Sequence, residues 1–91
     1  MGVLHTVLDH LHAGRWTEAH NLVQSDGSEL GAWLHGIVHT VEGDLEDAEY
    51  WYTQAHRHFR SRGTLPEELE RFARELANAP EGVPPDDGAA P

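Results

Sequence analysis

The stretch Trp33-Leu34-His35-Gly36-Ile37-Val38-His39-Thr40-Val41-Glu42-Gly43-Asp44 reads as most of a helix followed by its stop signal. Leu30, Trp33, Leu34, Ile37, Val38 and Val41 recur at i, i+3, i+4 and i+7, the period of a helical face that packs on a core. His35 and His39 stand one turn apart on the other face. Two imidazoles at i and i+4 are near neighbours and suit a single metal ion. They equally suit a solvated polar face. What that face packs against decides between the two.

Working outward, helical periodicity continues in both directions, and no segment alternates apolar and polar residues long enough to make a strand. Val3, Leu4, Val7, Leu8 and Leu11 make one stripe over 3–13, ended by Gly14. Trp16, Ala19, His20 and Val23 share a face over 16–24, and Ser25-Asp26-Gly27-Ser28 is a turn. The third helix covers 29–42. Gly43 stops it, and Asp44 is placed to cap a fourth over 45–59, with Leu45, Ala48, Trp51, Tyr52, Ala55 and Phe59 as its buried stripe. Thr64-Leu65-Pro66-Glu67 has the form of a capping box with proline in the first turn. The helix it opens has Leu69, Phe72, Ala73 and Leu76 on one face. From Pro80 the chain is rich in proline and acid and has little to bury, so 79–91 is expected to be a disordered tail after a single domain over 1–78.

Composition narrows the function. The chain has 91 residues, no cysteine, and a formal charge of −10 from 16 acids and 6 bases. So acidic a chain is repelled by phosphate backbones and anionic lipid, which argues against nucleic-acid and membrane partners. Without cysteine there are no disulfides and no thiolate metal ligands. No apolar run approaches the roughly 20 residues of a membrane span, and the first residues lack the pattern of a secretion signal. A cytoplasmic protein is expected. Eight histidines make the charge strongly pH-dependent between about pH 5 and 7.

Gly14-Arg15-Trp16-Thr17-Glu18-Ala19 and Gly43-Asp44-Leu45-Glu46-Asp47-Ala48 share a spacing, glycine then alanine five residues on, at an offset of 29 residues. A period of this size marks stacked helical hairpins. The second unit, Ala32-x2-His35-Gly36-x2-His39 followed by Ala48-x3-Tyr52 and Ala55, resembles the tetratricopeptide repeat pattern W-x2-L-G-x2-Y then A-x3-F. The first unit, Val3-x2-Thr6-Val7-x2-His10 followed by Ala19-x3-Val23, matches it more loosely. The likeness covers about residues 3–60. It implies an all-α fold of two stacked antiparallel helical hairpins (TPR-like), on which the fifth helix forms a C-terminal cap. The segment from Gly14 to Tyr52 also resembles a group of small bacterial proteins, a likeness that implies no particular activity.

His35 and His39 stand where the repeat pattern has leucine and tyrosine, both helix-packing positions. The resemblance therefore turns them toward the preceding hairpin, whose second helix carries His20 on its inward stripe. Buried imidazoles need partners, and a divalent metal takes a lone pair from each. His20, His35 and His39 are the expected ligands, with Glu42 on the same face as a fourth ligand or an orienting partner. Imidazoles suit zinc and copper above all, and iron as a further candidate. The competing expectation is that the pair bonds Tyr50, Tyr52, Glu49 or backbone and fills space. His10 matches His39 in the first hairpin and is a weaker candidate. His56 and His58 are expected to complement the end of the fourth helix.

No H-E-x-x-H motif, phosphate loop or acid/base couple is present, so no reaction is assigned. The leading expectation is a small transition-metal-binding protein with a three-histidine site and an open coordination position. The alternative is a metal-free TPR-like adaptor that binds a peptide or protein partner through its hairpin surface, with Trp33 on that surface. A homodimer that covers an exposed end is also expected, since a two-hairpin stack has little core of its own.

Overall fold

The computed structural model describes residues 2–79, and among them every regular element is helical. The elements are α1 (Val3–His12), α2 (Trp16–Val23), α3 (Glu29–Glu42), α4 (Leu45–Gln54), a 3-10 turn (Phe59–Ser61) and α5 (Leu65–Asn78). None is long and apolar enough to cross a membrane. The expected tail lies outside the described residues, apart from Ala79.

Helix α3 is the centre of the molecule. It packs most extensively on α4, then on α2 and α5, and touches α1. From Trp33 to His39 every residue is buried, so the helix has no solvated face over two turns. The core around it joins Leu4, Val7, Leu8 and Leu11 of α1 to Val23, Leu34, Ile37, Val38, Tyr52, Phe72 and others. Gly36 sets the distance between α3 and α4: a Cβ there would lie 2.5 Å from the Tyr52 ring and 3.1 Å from the Ala48 carbonyl oxygen. Trp33 is wholly buried, with the Phe72 ring edge-on at 4.9 Å. It is core, as its place on the apolar stripe of α3 predicts, and the alternative that it lines an open hairpin surface fails because α5 lies over it.

Three helices end in the same way. After α1, Gly14 takes φ 77°, its N–H donates to the Leu11 carbonyl, and the Arg15 N–H donates to that of His10. After α3, Gly43 takes φ 83° with matching bonds from Gly43 to Thr40 and from Asp44 to His39. These are Schellman closures, in which a left-handed residue lets the chain reverse while satisfying the last carbonyls. The third, after α4, uses a histidine. His56 takes φ 61°, and the bonds run from His56 to Thr53 and from Arg57 to Tyr52. This is why α4 stops at Gln54, five residues short of the expected end at 59. No glycine announces the turn.

Two helix starts, those of α3 and α5, are capped by side chains. Ser28 Oγ accepts from the Gly31 N–H at 3.0 Å. The capping box at α5 is complete, with Thr64 Oγ1 accepting from Glu67 N–H at 3.3 Å and Glu67 Oε1 accepting from Thr64 N–H at 3.0 Å. Other positions depart from expectation. Trp16 and Leu45 are about half exposed, because packing on α2 and α4 begins one turn later, at Ala19 and Ala48. Ala73 is exposed, while Glu68, a charged residue, is buried in its place on the inner face of α5. Asp44 occupies the N-cap position of α4 but makes no capping hydrogen bond.

Candidate metal centre

Burial of α3 on all sides turns its non-apolar face into an interior surface, and α2 lies against it. His35 and His39, each 7% exposed, face His20 of α2. The His20 ring stands edge-on to both, with centroids 5.1 Å from His35 and 4.7 Å from His39. His35 and His39 are nearly parallel at 5.0 Å, as i, i+4 spacing dictates. One ring nitrogen from each of the three lies within 4.8 Å of the other two. Tetrahedral zinc with bonds of about 2.0–2.1 Å places its nitrogens roughly 3.4 Å apart, so side-chain rotation of about an ångström closes the set.

Carboxylates surround the imidazoles. Glu42, at the end of α3, puts Oε2 3.0 Å and Oε1 3.1 Å from His20 Nδ1, and Oε1 3.8 Å from His39 Nδ1. It therefore lies between two Nδ1 atoms. A metal held by the Nε2 atoms leaves Glu42 as the carboxylate that orients the rings, and one held by Nδ1 takes it as a fourth ligand. The His39 Nδ1 is buried and makes no hydrogen bond; Asp44 Oδ2 lies 3.4 Å away, as an ion-pair neighbour only. A buried polar atom without a partner is costly, about 1–3 kcal/mol, and calls for an explanation.

Trp51 lies face-on to His35, with centroids 4.0 Å apart and planes 13° from parallel. Burial first, and then the neighbouring His39 and His20 rings, push His35 down to about 4, with Glu42 and Asp47 opposing the shift. At neutral pH that ring keeps a free lone pair on one nitrogen, the form in which imidazole ligates metal.

His20, His35, His39 and Glu42 thus come together, and the neighbours named by the competing expectation do not join them. The Tyr52 hydroxyl points away, to Glu68. His10 is engaged by Arg15, whose Nε donates to its Nδ1 at 3.0 Å. His56 pairs with Glu29 of α3 rather than with helix carbonyls. Asp44 and Asp47 were missed: with His39 they form a second group of donors within 4.8 Å, both acids exposed. The spacing His39, Asp44, Asp47 across a glycine stop carries that signal weakly, because Asp44 reads first as a cap.

Comparison with protein-family models, curated proteins and solved structures finds no match. The functional reading rests on the geometry.

Proposed function

We propose that this protein binds one divalent transition-metal ion between α2 and α3 through His20, His35 and His39, with Glu42 as fourth ligand or orienting partner. The observation that carries the reading is the meeting of three imidazoles from two helices, one of which, His39, has a buried Nδ1 without a hydrogen bond. An apolar packing role would be filled better by the leucine and tyrosine of the repeat pattern. The His35 ring, held neutral by burial, has a lone pair to give, and a cation between the three rings would take it. An all-nitrogen donor set suits zinc and copper, then iron, and copper binds such a set most tightly. If Glu42 stays in the outer shell, a coordination position is open for water or a substrate.

The reading includes a TPR-like hairpin stack as the scaffold, in a cytoplasmic setting. The metal-free alternative, an adaptor or a homodimer, draws on the exposed apolar residues Trp16, Leu45 and Tyr50.

The test is metal content. Protein produced without a histidine tag is expected to carry close to one equivalent of transition metal, lost in His35→Ala and in His39→Ala. Substoichiometric metal in the unaltered protein, or unchanged occupancy in both variants, would sink the site. Partner capture or dimerisation that is lost in Trp16→Ala and indifferent to both histidine variants would favour the alternative.

A further inference from the structure

The chain has only six basic residues against 16 acids, yet three of them, Arg57, Arg62 and Arg71, line one cleft. The cleft lies between the start of α3, the end of α4, the 3-10 turn and α5, and has a volume of about 490 Å³. It is separate from the histidine centre, whose residues do not line it.

Its wall is built on a buried charge. Glu68, 4% exposed, accepts from Trp33 Nε1 and from the Tyr52 hydroxyl, both at 2.7 Å through Oε2, and pairs with Arg71 through Oε1. Burial and the bond to Glu68 push the Tyr52 phenol well up, so it stays a donor. The acceptor capacity of this carboxylate is therefore spent within the fold. Glu75 is likewise taken by Arg57 Nη2, with both oxygens at 2.7 Å, and Glu29 by His56.

The guanidinium groups are in the opposite position. Among the described residues, Arg57 bonds through Nη2 alone. Arg62 bonds through Nη1 alone, to the Phe59 carbonyl, and has no carboxylate partner among them. Arg71 uses Nη1 alone among them. Each fork keeps donors in hand. Two are also held in place: Arg57 lies 3.5 Å over the Trp33 ring and Arg62 3.8 Å over Phe59. A guanidinium stacked on an aromatic face presents its N–H edge with little rotamer freedom left to lose on binding. The left-handed turn at His56 sets Arg57 in this position, and strained backbone at a cleft is where binding sites concentrate.

We infer that this cleft binds a small organic anion, a molecule that carries a phosphate or carboxylate group on an apolar or aromatic body, with Arg62 and Arg57 gripping the anionic group. Planar forks match both oxyanions. The volume lies within the range of small-molecule pockets, about 300–1,000 Å³, and far exceeds what a bare oxyanion fills. The cleft also runs against the charge of the molecule, so the local donors rather than the global field must supply the affinity.

Calorimetric titration at low salt with inorganic phosphate, phenyl phosphate and benzoate tests this. Phenyl phosphate or benzoate is expected to saturate one site and to bind more tightly than inorganic phosphate, and the better of the two identifies the oxyanion. Arg62→Gln is expected to weaken binding about tenfold or more, the effect of losing a charge-assisted contact. Arg62→Lys, which keeps the charge and is the gentler change for the fold, is expected to weaken it several-fold. His35→Ala is expected to leave it unchanged, which separates this cleft from any anion bound to a metal. No saturable binding of any of the three anions, or unchanged affinity in both Arg62 variants, would overturn the proposal. Affinity lost in His35→Ala would overturn it as well.

Discussion

His35 is a neutral imidazole in an interior that disfavours its charge, and this sets a pH dependence. In the unfolded chain its ring titrates near the ordinary 6.5, in the folded chain near 4. Between these values the unfolded state takes up a proton that the folded state refuses. The stability present above pH 6.5 is therefore lost as the pH falls toward 4. In metal-free protein, the unfolding midpoint in urea should drop more steeply from pH 7 to pH 5 in the unaltered chain than in His35→Gln. Parallel declines would mean that the ring is not shielded as described. His56 makes the opposite case, a residue whose backbone is under strain. A non-glycine residue in the left-handed region costs about 1 kcal/mol, and its exposed pairing with Glu29 returns little. His56→Gly should stabilise the protein by up to about 1 kcal/mol, seen as a raised urea midpoint with unchanged slope.

Among the elements, the contact of α3 with α4 depends on a missing methyl group. Gly36→Ala improves helix propensity by about 1 kcal/mol but drives a Cβ into the Tyr52 ring and the Ala48 carbonyl. Overpacking of this kind costs about 1–3 kcal/mol, so net destabilisation of up to about 2 kcal/mol is expected in urea unfolding. The join of α5 to the core depends on a carboxylate. Glu68→Leu leaves the Trp33 and Tyr52 donors without an acceptor and should cost roughly 3 kcal/mol or more. Glu68→Gln keeps an acceptor and should cost clearly less. Equal losses would show that the bonds to Trp33 and Tyr52 are not what holds the helix.

The same elements show how far the sequence could be read. Helices α1 to α3 and the capping box of α5 follow from apolar period, glycine and cap residues, all of which act locally. The gathering of His20, His35 and His39 was legible from the i, i+4 spacing of the pair on α3 and from the place of His20 on the inward stripe of α2. Glu68 was not, because a charge at an inward position reads as solvated until its partners Trp33, Tyr52 and Arg71, far apart in the chain, are seen to converge. The end of α4 was hidden for a related reason. His56 carries no local mark of a left-handed turn, and the tertiary contacts of Arg57 with Trp33 and Glu75 favour it. The arginine cleft grows from those two unread features.

For the whole molecule, a single small core wrapped on α3 leaves little reserve, so a bound ion should register strongly. A metal that binds only the folded chain adds about 2.7 kcal/mol at a hundred times its Kd. In a domain of this size that raises Tm by more than about 10 °C. Added zinc or copper is expected to give such a rise, absent in His39→Ala. A Tm indifferent to both metals would count against the centre.

The stacking of Trp51 on His35 gives the molecule an optical channel. Of its three tryptophans, Trp33 is sealed in the core beside Glu68, Trp16 stands at the surface, and Trp51 stacks face-on against a proposed ligand. A paramagnetic ion at the histidines would lie within a few ångströms of that indole and extinguish its emission, while a closed-shell ion of the same charge would not. With the proposed site filled, each copy of the chain would therefore carry its own gauge of the metal's identity, readable in a dilute solution without any added dye.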